Sequence, residues 1–372
     1  MSLSLPADPP HARSLTGVVP QLFASLESRS EWFAPATSAI VFVVDGLGAS
    51  SLTARAGHAR FLAQSGTKKD VARTVFPSTT ATALTSLLTG APAGVHGIVG
   101  YRARIPGTDD VVNQLRGWDT DELPQSWQRA ERLVARHADR PCFVVSKSEY
   151  AGTGFTEATM GEAQFVGEND LTARVERATD LAARHPGSFI YLYANDLDAI
   201  GHKRGWQSDE WIGALERVDA AARTLAAAAD PQTGIVVTAD HGMVDVPRHR
   251  QILLADGDAH LDGVRLIGGE PRMLHLYAED GAAADVLDTW RQAEGGRSWV
   301  LSRTEAIDAG LFGSVSPDVA PRIGDVLVAA RSGIAYYDDR VDDKAPQKMV
   351  GQHGSLTNEE RIVPLLKLGA YA

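Results

Sequence analysis

Four short runs of the chain are apolar at almost every position: 38–44 in SAIVFVVDG, 141–146 in PCFVVS, 188–194 in SFIYLYA and 234–239 in GIVVTADHG. A strand with one face in water alternates apolar and polar residues, so uninterrupted runs of this length read as strands buried on both faces. Between them lie helix-like stretches at 125–139, 171–187 and 208–230, the last opened by Ser208 as a candidate N-cap. Strands alternating with helices predict an α/β fold: a three-layer sandwich whose mostly parallel central sheet is wound by right-handed crossovers.

Residues 262–345 read differently. The segments RMLHLYAED, GAAADVLDTWRQAEG, SWVLSRTEAIDAG and IGDVLVAARSGIAYY suggest a small α+β unit, with joints at IGGEPR and SVSPDVAPR. A length of 372 residues would by itself suggest two or three domains. The motifs described below, however, run from residue 45 to residue 353. The expected organisation is therefore one catalytic core, 30–261 and 346–372, carrying 262–345 as an inserted cap.

The bulk properties exclude several function classes. A formal net charge of −11 argues against a partner that is a nucleic-acid polymer held by its backbone. It leaves room for a small anionic substrate met by local positive charge. The N-terminal MSLSLPADPPHARSLTG lacks the pattern of a signal peptide, and no apolar segment is long enough to span a bilayer, so no membrane association and a cytoplasmic location are expected. The single cysteine, Cys142, cannot form an internal disulfide and reads as a small core hydrophobe.

The strands end on unusual residues. The first stops at Asp45-Gly46; the third runs into NDLDAIGHKRG, with Asp198 and His202 four residues apart; the fourth stops at Asp240-His241. Carboxyl ends of parallel strands share one sheet edge, where ligands of open α/β folds bind. Far downstream, VGQHGS adds His353. Carboxylate oxygen and imidazole nitrogen suit zinc, manganese and similar divalent ions. Three aspartates and three histidines exceed the needs of one tetrahedral zinc and suffice for two ions about 3.5–4 Å apart.

A second notable stretch is TVFPSTTATALTSLLTGAPAGVHGIVGY, 74–101, with six hydroxyl residues between Ser78 and Ser86 leading into an apolar helical segment. Most of these hydroxyls read as an ordinary N-terminal cluster. One beside two divalent cations could instead be a nucleophile, with the helix N-terminus holding phosphate oxygens.

Taken in order, VVDGLG, FPSTTATALTSLLTG with HGIVG, DLDAIGH, TADHGM and GQHGS resemble the alkaline phosphatase superfamily. The likeness is closest to its type I phosphodiesterase/nucleotide pyrophosphatase branch and covers roughly 38–245 and 349–356. The resemblance implies two divalent ions, zinc first and manganese as the alternative. Asp45, Asp240 and His241 match the ligands of one, which also holds the nucleophile; Asp198, His202 and His353 match those of the other. Counting nine residues back from Thr89 gives Thr80 as the nucleophile, with Thr79 the alternative because the Phe-Pro pair precedes it here. Tyr101 stands where relatives often carry an asparagine that hydrogen-bonds a phosphoryl oxygen. Lys147, beyond the second strand, is a candidate for a substrate anion or a solvated lysine. His96 matches a family position that is not a metal ligand and reads as structural, with substrate contact the alternative, and Trp206 and Trp211 are either pocket wall or packing.

The implied reaction is hydrolysis of a phosphodiester or pyrophosphate of a small, nucleotide-type molecule through a phosphothreonine. The alternatives are a phosphomonoesterase, phosphonate hydrolase or phosphomutase on the same site, and last a non-catalytic metal-binding protein. Diesters are expected over monoesters because no lysine or arginine lies within 74–101, although Arg102 and Arg104 follow directly. The oligomeric state is left open.

Overall fold

The computed structural model describes residues 4–372. Its centre is a seven-stranded sheet built from β1 (Ser38–Val44), β2 (Val71–Arg73), β3 (Cys142–Ser146), β4 (Gln164–Gly167), β5 (Phe189–Ala194), β6 (Thr233–Thr238) and a late strand, Ile362–Gly369. The order across the sheet is β2, the late strand, β6, β1, β5, β3, β4. β1 lies between β5 and β6 and is parallel to both; β3 is parallel to β5 and β4. Only the late strand runs against its neighbours. Every residue of β1, β3, β5 and β6 is buried, so both sheet faces are covered, as the uninterrupted apolar runs require.

Two helix pairs provide that cover. Leu15–Leu26 (α1) packs on Thr80–Thr89 (α2), and Leu171–Arg184 (α3) packs on Asp209–Ala228. Ser208 caps the last of these, its side chain accepting the Trp211 N–H at 3.2 Å. The expected helix over 125–139 does not form as one piece. Only a turn at Gln125–Trp127 and a short helix at Leu133–Arg136 are present. Tertiary bonds win between them: the Gln128 amide donates to the Ala158 carbonyl, and the Arg129 N–H donates to the His96 carbonyl at 3.0 Å.

After β6 the chain leaves the sheet. Gln251–Leu254 (β7) pairs in parallel with Ala335–Asp338, so pairing outside the main sheet begins ahead of residue 262. Within this excursion, Val264–Glu270 (β8), Met273–Ala278 (β9), Ser298–Ser302 (β10) and Val326–Ala330 (β11) form an antiparallel sheet ordered β8-β9-β11-β10, backed by helix Ala283–Glu294. Among the described residues, no helix is long and apolar enough to cross a membrane.

A buried clamp ties this smaller sheet to the core. Arg272, in the turn between β8 and β9, donates through Nε and Nη2 to the two carboxylate oxygens of Glu360, each at 2.8 Å. Its remaining N–H groups go to the carbonyls of Ala330, Ser332 and Ile334. Glu360 also accepts the Ser355 N–H and the Thr357 hydroxyl. Both charged residues are fully buried, so removing one leaves the other uncompensated in a low-dielectric interior. Arg272→Met is expected to cost about 3–5 kcal/mol of unfolding free energy, read from urea denaturation of the metal-loaded protein. A loss under about 1 kcal/mol, the range of surface pairs, would show that the clamp is not what holds the cap.

Candidate metal centre and active site

Each aspartate that ends a strand has one oxygen anchored and one left free. Asp45 follows β1, and its Oδ2 accepts the Tyr193 hydroxyl from the neighbouring strand. Gly46 then turns with φ +77°, where a Cβ would lie 3.1 Å from the Asp198 Cα; glycine is what allows the two acid-bearing segments to approach. Asp240 follows β6, and its Oδ1 accepts the N–H groups of Gly46 at 3.2 Å and His241 at 3.0 Å. Asp198 lies on Asp196–Arg204, the short helix after β5. Asp45 Oδ1, Asp240 Oδ2 and Asp198 Oδ1 are buried and have no hydrogen-bond partner among the described residues.

The histidines are arranged in the same way. Nδ1 of His202 donates to the Gly351 carbonyl at 2.8 Å, that of His241 to the Gly242 carbonyl at 3.0 Å, and that of His353 to the Ser78 carbonyl at 2.9 Å. With the proton assigned to Nδ1 by these acceptors, each Nε2 presents a lone pair. His241 Nε2 lies 3.4 Å from both Asp45 Oδ1 and Asp240 Oδ2. His202 Nε2 lies 3.3 Å from Asp198 Oδ1 and 3.3 Å from His353 Nε2. Two triplets, Asp45-Asp240-His241 and Asp198-His241-His353, hold their donor atoms within 4.8 Å of one another.

The electrostatics describe a crowded, buried cluster of like groups. Burial, then the charges of Asp240 and Asp198, pushes the Asp45 carboxyl well above its usual range. Burial, then His241 and His202, holds the His353 imidazole well below its usual range. Buried groups of like kind, with free oxygens and lone pairs converging and few donors between them, are costly unless a cation joins them. The oxygen and nitrogen donor set fits divalent ions such as zinc or manganese.

The hydroxyl stretch meets this cluster. Thr80 is the first residue of α2, and its Oγ1 lies 3.1 Å from His241 Nε2. Thr79, in the N-cap position, accepts no capping hydrogen bond, so its hydroxyl leaves the first-turn N–H groups free. A cavity of about 590 Å³ opens here, its wall including Thr79, Thr80, Tyr101, Asp198, His202 and His353. Lys147 is not part of that wall; its amine lies 4.0 Å from Asp196. Trp206 and Trp211 also lie outside the wall and pack edge to face, Trp211 fully buried. His96 is buried between the Ser86 hydroxyl and the Ile98 N–H, and burial pushes its imidazole down to about 3, so it is a neutral structural group.

Two residues of the site escaped the sequence reading. Tyr193 sits inside an apolar run, and its role becomes visible only once Val43 pairs with it across the sheet. Glu270, at the end of β8, stands in the cavity wall and accepts the Tyr101 N–H at 3.2 Å. Its signal was an acidic residue inside IGGEPR, a stretch that reads as a domain joint.

The family model for type I phosphodiesterase/nucleotide pyrophosphatase matches residues 39–356. Murine ectonucleotide pyrophosphatase/phosphodiesterase 5 superposes with a TM-score of 0.68 at 18% identity, covering 88% of this chain and 87% of that one. An inactive threonine-to-alanine variant of the murine protein in complex with AMP superposes equally, at 0.68 and 18% identity over 89% and 88%. Phosphonoacetate hydrolase from Sinorhizobium meliloti 1021, in complex with phosphonoformate, gives 0.68 at 20% identity over 90% of each chain. No curated protein sequence matches the chain.

The free oxygens and Nε2 lone pairs lead to a measurable expectation. Elemental analysis should find about two divalent ions per chain, and chelation should lower the melting temperature because the ions bind only the folded state. Asp240→Ala should reduce both the metal content and the rise in melting temperature on adding zinc. A chelated, metal-free preparation that keeps full turnover would overturn the assignment.

Proposed function

We propose, from the premise that the chain belongs to the type I phosphodiesterase/nucleotide pyrophosphatase family and is a phosphoryl hydrolase, that it cleaves phosphodiester or pyrophosphate bonds of a small nucleotide-type molecule with Thr80 as nucleophile. The carrying observation is the meeting of the Thr80 hydroxyl with six Asp and His donor groups at the N-terminus of α2. Asp45, Asp240 and His241 would hold one divalent ion and Asp198, His202 and His353 the other, zinc before manganese. When bound, such ions lower the pKa of a coordinated hydroxyl and stabilise charge on phosphoryl oxygens.

The chain's own residues supply the rest. The free N–H groups of the first turn of α2 bind the phosphoryl group and orient it. Thr80 Oγ1 forms a bond to phosphorus as the bond to the leaving oxygen breaks, and the threonine proton leaves with the departing alcohol or phosphate. Water then cleaves the phosphothreonine, restoring the hydroxyl and releasing the second product. Tyr193 holds Asp45 and the backbone holds Asp240, so the free oxygens keep their places during turnover. The murine neighbour supports this reading, since its threonine-to-alanine form is inactive and binds AMP.

The register of the nucleophile is directly testable. Thr80→Ala should lower kcat by several orders of magnitude with metal content unchanged, while Thr79→Ala should be much milder. The reverse order would move the nucleophile by one residue.

The preference for diesters follows from charge. A monoester dianion brings an extra negative charge that must stay stabilised in the transition state. Of the three cations the sequence offered, only Arg102 lines the cavity; the wall also holds Arg116, and Arg265 and Arg340 that are paired with Asp109 and Asp338. Arg104 Nε donates to the Thr108 carbonyl at 2.6 Å, and Lys147 faces Asp196. On one metal-loaded sample, kcat/KM for bis-nitrophenyl phosphate or a nucleotide pyrophosphate should exceed that for nitrophenyl phosphate. A monoester advantage of about tenfold, or 1.4 kcal/mol, would reject the diesterase reading and point to Arg102.

A further inference from the structure

Glu270 is a buried acid that the site as described does not use. It closes β8 at 6% exposure and stands in the cavity wall with Thr79 and Thr80. Oε2 accepts the Tyr101 N–H at 3.2 Å. Oε1 is buried and has no hydrogen-bond partner among the described residues. The room for this side chain comes from Gly354, φ +124°, where a Cβ would fall 2.5 Å from the Glu270 Cγ.

No cation neutralises it among the described residues. Arg272, two positions on, is spent on Glu360 and three carbonyls. A buried carboxylate without a counter-charge costs several kcal/mol and takes up a proton instead. Burial pushes the Glu270 carboxyl up to about 8, with the charge of Glu360 adding to the rise and the Thr79 hydroxyl and Tyr101 N–H opposing it. A neutral carboxyl carries one O–H donor. Oε2 already accepts an N–H, so the hydroxyl belongs to Oε1, the unpartnered oxygen. The Thr79 hydroxyl lies close enough to weigh on this carboxyl but makes no hydrogen bond to Oε1 among the described residues, so a donor there, in the wall beside the reacting threonine, can take its acceptor from what enters the cavity.

We propose that Glu270 is a further catalytic residue, donating a hydrogen bond from Oε1 to a non-bridging phosphoryl oxygen of the substrate. The proposal rests on the phosphoryl-transfer reading above. A neutral donor placed where charge develops stabilises the transition state more than the ground state. It also adds no positive charge, which suits a diester monoanion better than a monoester dianion.

The test uses the metal-loaded full chain with bis-nitrophenyl phosphate, comparing wild type, Thr80→Ala, Glu270→Ala and Glu270→Gln, with metal content and melting temperature measured for each. Glutamine keeps both an acceptor for the Tyr101 N–H and an N–H donor for the phosphoryl oxygen. Expected are a fall in kcat of about 10²–10³-fold for Glu270→Ala with KM changed little, and a Glu270→Gln enzyme within about tenfold of wild type. Should the alanine variant melt early, Glu270→Leu supplies the donor-free variant with the volume kept, and the same loss is expected. Glutamine as poor as alanine or leucine, a donor-free variant with wild-type kcat, or a loss of metal that accounts for the loss of rate would each overturn the proposal. If wild type fails to turn over the diester, the phosphodiesterase reading falls and takes the proposal with it. If wild type and Thr80→Ala behave as expected while Glu270→Ala keeps its rate, only the proposal falls.

Discussion

Three carboxylate oxygens, one each from Asp45, Asp198 and Asp240, are buried at one point without a donor. Left alone, that arrangement opposes folding, because each oxygen has given up water and gains only the repulsion of the others. The surrounding structure holds it in place from behind. Tyr193 and two backbone N–H groups take the opposite oxygens of Asp45 and Asp240, and three carbonyls take the Nδ1 protons of the histidines. Those rear contacts fix the side chains in the orientation that a pair of divalent cations would need. The sheet order serves the same end. Because β1 runs between β5 and β6, the three acids leave adjacent strands and meet without long loops.

What could be read from the sequence was what this convergence forces on local pattern. Strands buried on both faces must be apolar throughout, so 38–44, 188–194 and 234–239 stand out, and the acids at their ends stand out against them. The same logic found Ser208, whose cap depends on four neighbouring residues only. Features set by contacts far apart in sequence stayed hidden. The 125–139 stretch has helical composition, yet Gln128 and Arg129 spend their hydrogen bonds on residues 158 and 96. Tyr193 looks like one more aromatic in a strand until its register beside β1 is known. Lys147 follows a core strand as predicted, but the acid that faces it, Asp196, comes from the next strand's helix. Glu270 could not be singled out, since its partner is the backbone of Tyr101 and its space is left by Gly354.

The smaller sheet explains why substrate choice is the least legible part. Its strands pair among themselves, so their hydrogen bonds are satisfied without reference to the cavity. Which residues of β8 and of the strand Ala335–Asp338 face the cavity is decided by how that sheet docks. One contact that joins it to the core is Arg272 with Glu360, 88 positions apart, a separation no local pattern reveals.

That clamp also divides the candidate metal centre into halves of different dependence. Asp45, Asp240 and His241 belong to the ends of β1 and β6 and are positioned by the central sheet itself. His353 is different: it arrives on the returning chain, where Gly351–Gln352 pairs with Val244–Asp245 just past His241. Its loop is stitched to the loop before Thr80 three times: His353 Nδ1 donates to the Ser78 carbonyl, the Ser78 N–H to the Gly354 carbonyl at 3.1 Å, and the Ser78 hydroxyl to the Ser355 carbonyl at 2.7 Å. Glu360 receives the Ser355 N–H from the same loop while holding Arg272. The position of Thr80 at the cluster, the second group of ligands and the seating of the cap are therefore linked through residues 353–360.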